Sequence, residues 1–264
     1  MKKLTTLLLA MVASSLISSA AYAAGGGGPK LDHPYMNMSD KAALQNGAKL
    51  FVNYCLSCHS AQYARYNRVA EDLEIPLYRL KENLMFTTEK EGDLMTTTMP
   101  AEDSKEWFGV TPPDLTLVSR VRKPDWVYTY LRGFYRDDSS PSGWNNSLFD
   151  KVAMPHAMYE LQGVQKLVKT LPIDDSGNII DQDQVVLEEN QTLVANSILE
   201  LEHAGIRTVA EFDKDMADLT AFLTYLAEPA VMKRKTIGVF SIAFVLILMM
   251  LCYLLKKEYW RDIH

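Results

Sequence analysis

Twenty consecutive residues without a charge, Thr236 to Leu255 (TIGVFSIAFVLILMMLCYLL), constrain this chain more than any other stretch. As a helix rising about 1.5 Å per residue they span roughly 30 Å, the thickness of a bilayer's hydrocarbon core. One transmembrane helix is therefore expected near the C-terminus, in preference to a buried core helix. Its flanking charges do not orient it, because Lys233, Arg234 and Lys235 on one side balance Lys256, Lys257 and Arg261 on the other. The other end of the chain does. Lys2 and Lys3 precede an apolar run from Leu4 to Ile17 and the small-residue sequence Ala21-Tyr22-Ala23, the pattern of a cleaved signal peptide. The reading is thus a signal peptide over 1–23, an exported region over 24–232 on the periplasmic face of a bacterial inner membrane, an anchor over 233–255 and a cytoplasmic tail over 256–264.

The exported region holds nineteen Lys and Arg against thirty-one Asp and Glu, a formal charge of −12. Such acidity does not suit nucleic acid. It suits attraction of a basic protein partner, or simply solubility. Some two hundred residues are enough for one large domain with its own core.

The chemistry of that domain is concentrated at residues 53–60, NYCLSCHS. Two of the three cysteines in the chain, Cys55 and Cys58, stand three apart with His59 directly after them. C-x-x-C-H is the attachment signature of c-type haem, in which two thioethers hold the macrocycle and the histidine supplies an imidazole to iron. At these residue frequencies a chance match is expected roughly 0.0006 times. A structural zinc site would need a second ligand pair, and none is present. A thioredoxin-like dithiol would need a βαβ context, which the surroundings do not offer. The third cysteine, Cys252, falls in the membrane span and reads as a small packing residue.

Helical patterns flank the motif. Ser39 is expected to cap a helix from Asp40, with Ala43, Leu44, Leu50, Phe51 and Tyr54 on one face and Gly47 allowing close approach of another helix. Late in the domain, Thr208 and Glu211 form a capping box ahead of the stripe Phe212, Met216, Leu219, Leu223 and Leu226, which Pro229 ends. The expected fold is mainly α: a cytochrome c-like haem domain with surface insertions, followed by one C-terminal transmembrane helix. Between these ends, Trp126, Tyr128, Tyr130, Phe134 and Tyr135 form an aromatic patch, read as core of a helix over about 125–133 or as a wall of the haem pocket. The acidic segment 171–190 reads as a surface excursion, a docking site for a basic partner or a solvated loop. With His59 on one side of the iron, thirteen methionines compete for the other, and spacing alone does not choose among them.

Four segments together, AKLFVNYCLSCHSAQYARYNR, GVTPPDLTLVSRVR, VAMPHAMYEL and FLTYLAEPA before a single anchor, resemble the cytochrome c1 family, the haem c subunits of cytochrome bc complexes. C-x-x-C-H is common to all c-type cytochromes; PPDL followed by R-x-R, a later Met segment and the AEP-then-anchor ending are more specific. The resemblance implies one covalent haem c and the sixth ligand at Met154, which keeps the family's five-residue interval to Tyr159. Met158 and His156 are neighbouring rivals, and Met99 has no matching place. The family more often reads Met-Ala-Pro-Pro where this chain has Met-Pro-His-Ala. Arg122 matches the second arginine of R-x-R, a haem-propionate partner suited by its planar fork of donors. Pro113, with Pro112, falls in the stretch that lines the haem edge. The implied function is one-electron transfer from a Rieske iron–sulfur protein to a soluble or tethered cytochrome c. Cytochrome b would be a neighbour in the inner membrane, and the whole assembly a dimer. The alternatives are a haem c subunit of another respiratory membrane complex, or a haem enzyme with an open sixth position.

Overall fold

The helix expected behind Ser39 begins one residue later. In the computed structural model, which describes residues 28–263, α1 spans Lys41–Leu50 and its cap is Asp40, whose carboxylate accepts from Ala43 N at 3.1 Å. The predicted signal peptide, residues 1–23, lies outside the described residues.

The long helix α8, Val209–Ala227, carries the expected capping box of Thr208 and Glu211, and its whole predicted stripe from Phe212 to Leu226 is buried. α1 packs across α8 at Gly47. A Cβ there would lie 2.2 Å from Asp218 O and 2.7 Å from Phe222 Cβ, so only glycine permits this approach. Beside that contact, Asn46 Nδ2 donates to Asp215 Oδ1 at 2.8 Å and to Asp218 Oδ2 at 2.9 Å. Arg207 and Lys214 neutralise the same two buried carboxylates, as buried charges require.

After α1 the chain runs through β1 (Ala61–Arg65), α2 (Tyr66–Leu73), α3 (Leu77–Asn83), β2 (Leu94–Met95) and α4 (Ala101–Phe108). It continues through α5 (Val118–Val121) and α6 (Pro124–Arg132) to the hairpin β3 (Phe134–Arg136) and β4 (Trp144–Asn146). β1 and β2 pair antiparallel, as do β3 and β4. α1, α2, α6 and α8 carry most of the apolar core, which includes Leu44, Leu73, Leu131, Met216 and Phe222.

An antiparallel sheet follows the short α7 (Tyr159–Gln162): β5 (Gly163–Thr170), β6 (Gln191–Val194) and β7 (Ser197–Ala204), in the order β5-β7-β6. The acidic segment between β5 and β6 is a loop with one bridge, Ile173 to Ile179, and a 3₁₀ turn at Gln182–Gln184. Arg132 ties the layers together. Its guanidinium meets Asp213 of α8 at 2.6 and 3.0 Å and Asp32 of the extended N-terminal segment at 2.7 Å, while Asp32 Oδ1 accepts from Ala195 N in the β6–β7 turn at 3.4 Å.

α8 ends at Ala227, and a 3₁₀ turn at Pro229–Met232 leads into α9, Arg234–Tyr259. Thr236–Tyr259 of α9, whose most apolar 18 residues have a mean hydropathy of 2.7, faces outward, a helix long and apolar enough to cross a membrane. Glu228 sits at the junction, 3.2 Å from Arg234 Nη1 and 3.6 Å from Arg120 Nη1.

Candidate haem site

The haem-attachment motif sits where α1 loosens. Phe51–Cys55 is a π-helical turn in which Leu56 N donates to Phe51 O at 2.9 Å, a widening of the helix common at functional sites. Cys58 N and His59 N both donate to Cys55 O, at 3.0 and 2.8 Å, which turns the motif back on itself. Cys55 and Cys58 are free thiols. Burial, together with the neighbouring Cys58, pushes the Cys55 thiol up to about 12, so it stays protonated.

His59 is held from far along the chain. Its Nδ1 lies 2.7 Å from the carbonyl oxygen of Pro113, so the proton on Nδ1 donates there and the lone pair is left on Nε2. Burial lowers the His59 pKa, against the opposing pull of the Pro113 carbonyl and Asp114, which keeps the ring neutral and able to ligate. The Pro113 loop is in turn fixed by Asp114, whose carboxylate accepts from Gln62 N at 2.8 Å and from Thr116 N at 2.9 Å.

His59 and Met154 line one cleft, with Tyr54, Cys58, Phe108, Val110, Pro112, Ala153, Pro155 and Ala157 as further walls. The walls at Phe108, Val110, Ala153 and Ala157 had no signal in the sequence beyond being apolar or small. Met154 Sδ accepts a hydrogen bond from the Tyr130 hydroxyl at 3.4 Å. The rival ligands are elsewhere. Met158 is buried in the apolar core. Met99 is half-buried outside the cleft lining. His156 is buried with its ring stacked 5.0 Å from Phe134 and edge-on to Trp144 at 5.1 Å.

Of the aromatic patch, Tyr128 belongs to the apolar core, and Trp126 and Tyr130 pack against it. Tyr128 and Phe134 are buried in the domain interior, Tyr128 beneath the Arg132 guanidinium at 4.8 Å. Tyr130 reaches the cleft through its hydroxyl. Arg122 is exposed, with its guanidinium 5.0 Å over the Trp126 ring, and it is not among the residues lining the cleft.

The donor set fits an iron porphyrin. Among the described residues no cluster of three or more His, Cys, Asp and Glu could hold a bare metal ion. One neutral imidazole with its outer nitrogen committed to a carbonyl, one thioether and the Cys58 thiol around an apolar cleft, with the buried Cys55 thiol three residues before Cys58, are instead the groups a haem c macrocycle needs.

Comparison with known proteins agrees with that chemistry. The chain is 45% identical to "Cytochrome c1" of Allochromatium vinosum, over 89% of this chain and 90% of that protein. It is 42% identical to "Ammonia monooxygenase gamma subunit" of Nitrosomonas europaea, over 89% of each. It is 26% identical to "Cytochrome b/c1" of Bradyrhizobium diazoefficiens, over 85% of this chain and 34% of that protein. The family profile described as the Cytochrome C1 family matches residues 32–263, nearly every residue the structure describes, and the chain accordingly belongs to the cytochrome c1 family, whose members are haem c electron-transfer subunits.

Proposed function

We propose that this chain is the haem c subunit of a quinol–cytochrome c reductase, with haem attached through Cys55 and Cys58 and its iron ligated by His59 and Met154. The observation that carries the reading is the single cleft shared by an Nδ1-anchored His59 and Met154. When bound, the haem supplies a one-electron couple; the protein sets its ligands, its burial and its docking face. The committed Nδ1–H bond fixes the imidazole tautomer and raises its basicity. The thioether favours a high potential and closes the sixth position to small ligands. Arg122, stacked over Trp126, would be the guanidinium for a haem propionate, and the Pro113 carbonyl serves the site through His59.

Electrons would come from a Rieske protein and leave to a basic cytochrome c, soluble or tethered. The −12 charge of the exported region supports the second step. So does a wide groove beside the cleft, which shares Phe108, Ala153 and Pro155 with it and adds Trp107, Asp137 and Asp150. Cytochrome b as a partner is supported by the relative whose name joins the two cytochromes. The apolar α9 supports a membrane anchor, and the signal-peptide pattern supports a periplasmic haem domain. A second reading, a subunit of another respiratory complex, is favoured only by the name of the Nitrosomonas relative.

Affinity purification from membranes separates the two: cytochrome b and a Rieske protein should copurify, and copper or a different set of subunits would overturn the assignment. On the same material, haem colour should survive acid-acetone extraction. Met154→Ala should open the ferrous iron to carbon monoxide and lower its potential; an unchanged spectrum would move the sulfur ligand elsewhere.

A further inference from the structure

Tyr130 stands one helical turn after Trp126 on α6, and the two rings stack at 4.9 Å with 11° between their planes. Phe134 closes the other side edge-on, 5.1 Å away at 72°. Asn146 Nδ2 clamps the Tyr130 backbone carbonyl at 2.8 Å. The ring therefore has little freedom, and its hydroxyl is aimed at the Met154 sulfur, 3.4 Å away. A thioether sulfur carries two lone pairs, so ligation of iron by one leaves the other to accept this bond.

We propose that Tyr130 is a positioning residue for the sulfur ligand: its hydroxyl holds the Met154 thioether in the cleft and, by drawing density from sulfur, raises the reduction potential of the centre. The inference rests on Met154 being the sixth ligand. Ferric iron needs the sulfur's electron density more than ferrous iron does, so a hydrogen bond that competes for that density penalises the oxidised state selectively. The stack on Trp126, itself covered by Arg122, makes the aromatic column from the surface to the sulfur a support for one hydrogen bond.

Two variants of the purified holoprotein test this by redox potentiometry. Tyr130→Phe keeps the stack and removes the donor; the midpoint potential should fall while the near-infrared sulfur-to-iron charge-transfer band persists. Replacement of Tyr130 by 3-fluorotyrosine makes a stronger donor of nearly the same shape, and the potential should rise above wild type. It also stands in for the phenylalanine variant if that one fails to fold. A midpoint that does not move, or moves in the same direction in both, overturns the proposal. Absence of the charge-transfer band from wild type itself would instead overturn Met154 as ligand, a separate failure.

Discussion

The imidazole Nδ1 of His59 and the carbonyl oxygen of Pro113, 54 positions apart, lie 2.7 Å from one another. The contact is made by backbone on one side, so it cannot be deleted directly, but Asp114 holds the loop that presents it. Asp114→Ala removes the acceptor for both Gln62 N and Thr116 N and should cost about 2 kcal/mol of stability. Loosening the Pro113 carbonyl makes the imidazole a weaker donor, and losing a carboxylate removes negative charge near the iron. Both raise the midpoint potential. Potentiometry on Asp114→Ala and Asp114→Asn should show rises in both, the larger in alanine.

Gly47→Ala tests the crossing of α1 and α8. Added to a helix interior, alanine ordinarily stabilises. Here its Cβ would meet the Asp218 carbonyl at 2.2 Å, against backbone that cannot rotate away. The variant should lose about 1–3 kcal/mol in denaturant unfolding. Equal or greater stability would mean the two helices do not meet at this point.

Among the described residues, Arg132 is the cation that Asp32 and Asp213 share, and it is buried. Arg132→Met keeps its bulk and strands both carboxylates, for a loss of about 3 kcal/mol. Asp32→Asn should cost less, because Arg132 retains its two-pronged pairing with Asp213. A double-mutant cycle by urea unfolding measures the coupling.

Tyr225 is buried and donates to Asp72 Oδ2 at 2.9 Å. Burial first, then that bond, raises its pKa above the ordinary value of 10.0. A folded-state pKa above the unfolded one means that the unfolded chain loses its proton first. The contribution is full below about pH 10 and is lost as pH rises beyond it. Tyr225→Phe should therefore lower thermal stability at pH 7 and show a shallower alkaline loss than wild type when melts at pH 7 and pH 11 are compared.

The elements legible in the sequence are those whose signal is local. Cys55, Cys58 and His59 are contiguous, the Thr208–Glu211 box spans one turn, Gly47 interrupts an apolar face, and α9 is a single uncharged run. The cap at Asp40 in place of Ser39 is a one-residue displacement between two good capping residues. The sheet β5-β7-β6 was not anticipated. Leu199-Glu200-Leu201-Glu202 does alternate as a strand should, and Glu200 lies opposite Lys166 with 3.0 Å between their charged groups. But β6 has only four residues, and β5, the other neighbour of β7, lies before the twenty-residue acidic loop, so pairing could not be read from period alone. The His59–Pro113 and Tyr130–Met154 bonds were illegible for the same reason. Each joins groups that only the tertiary fold brings together, and nothing near either residue in the chain points to the other.

One more consequence follows from Glu228 and its two arginines at the foot of the domain. A four-residue turn joins the domain to α9, and Glu228 pairs across it with Arg120 of the domain and Arg234 of α9. A short joint of this kind limits how far a haem at the proposed site could travel from a bilayer that holds α9. The proposed electron donor would then have to come to the haem and leave again.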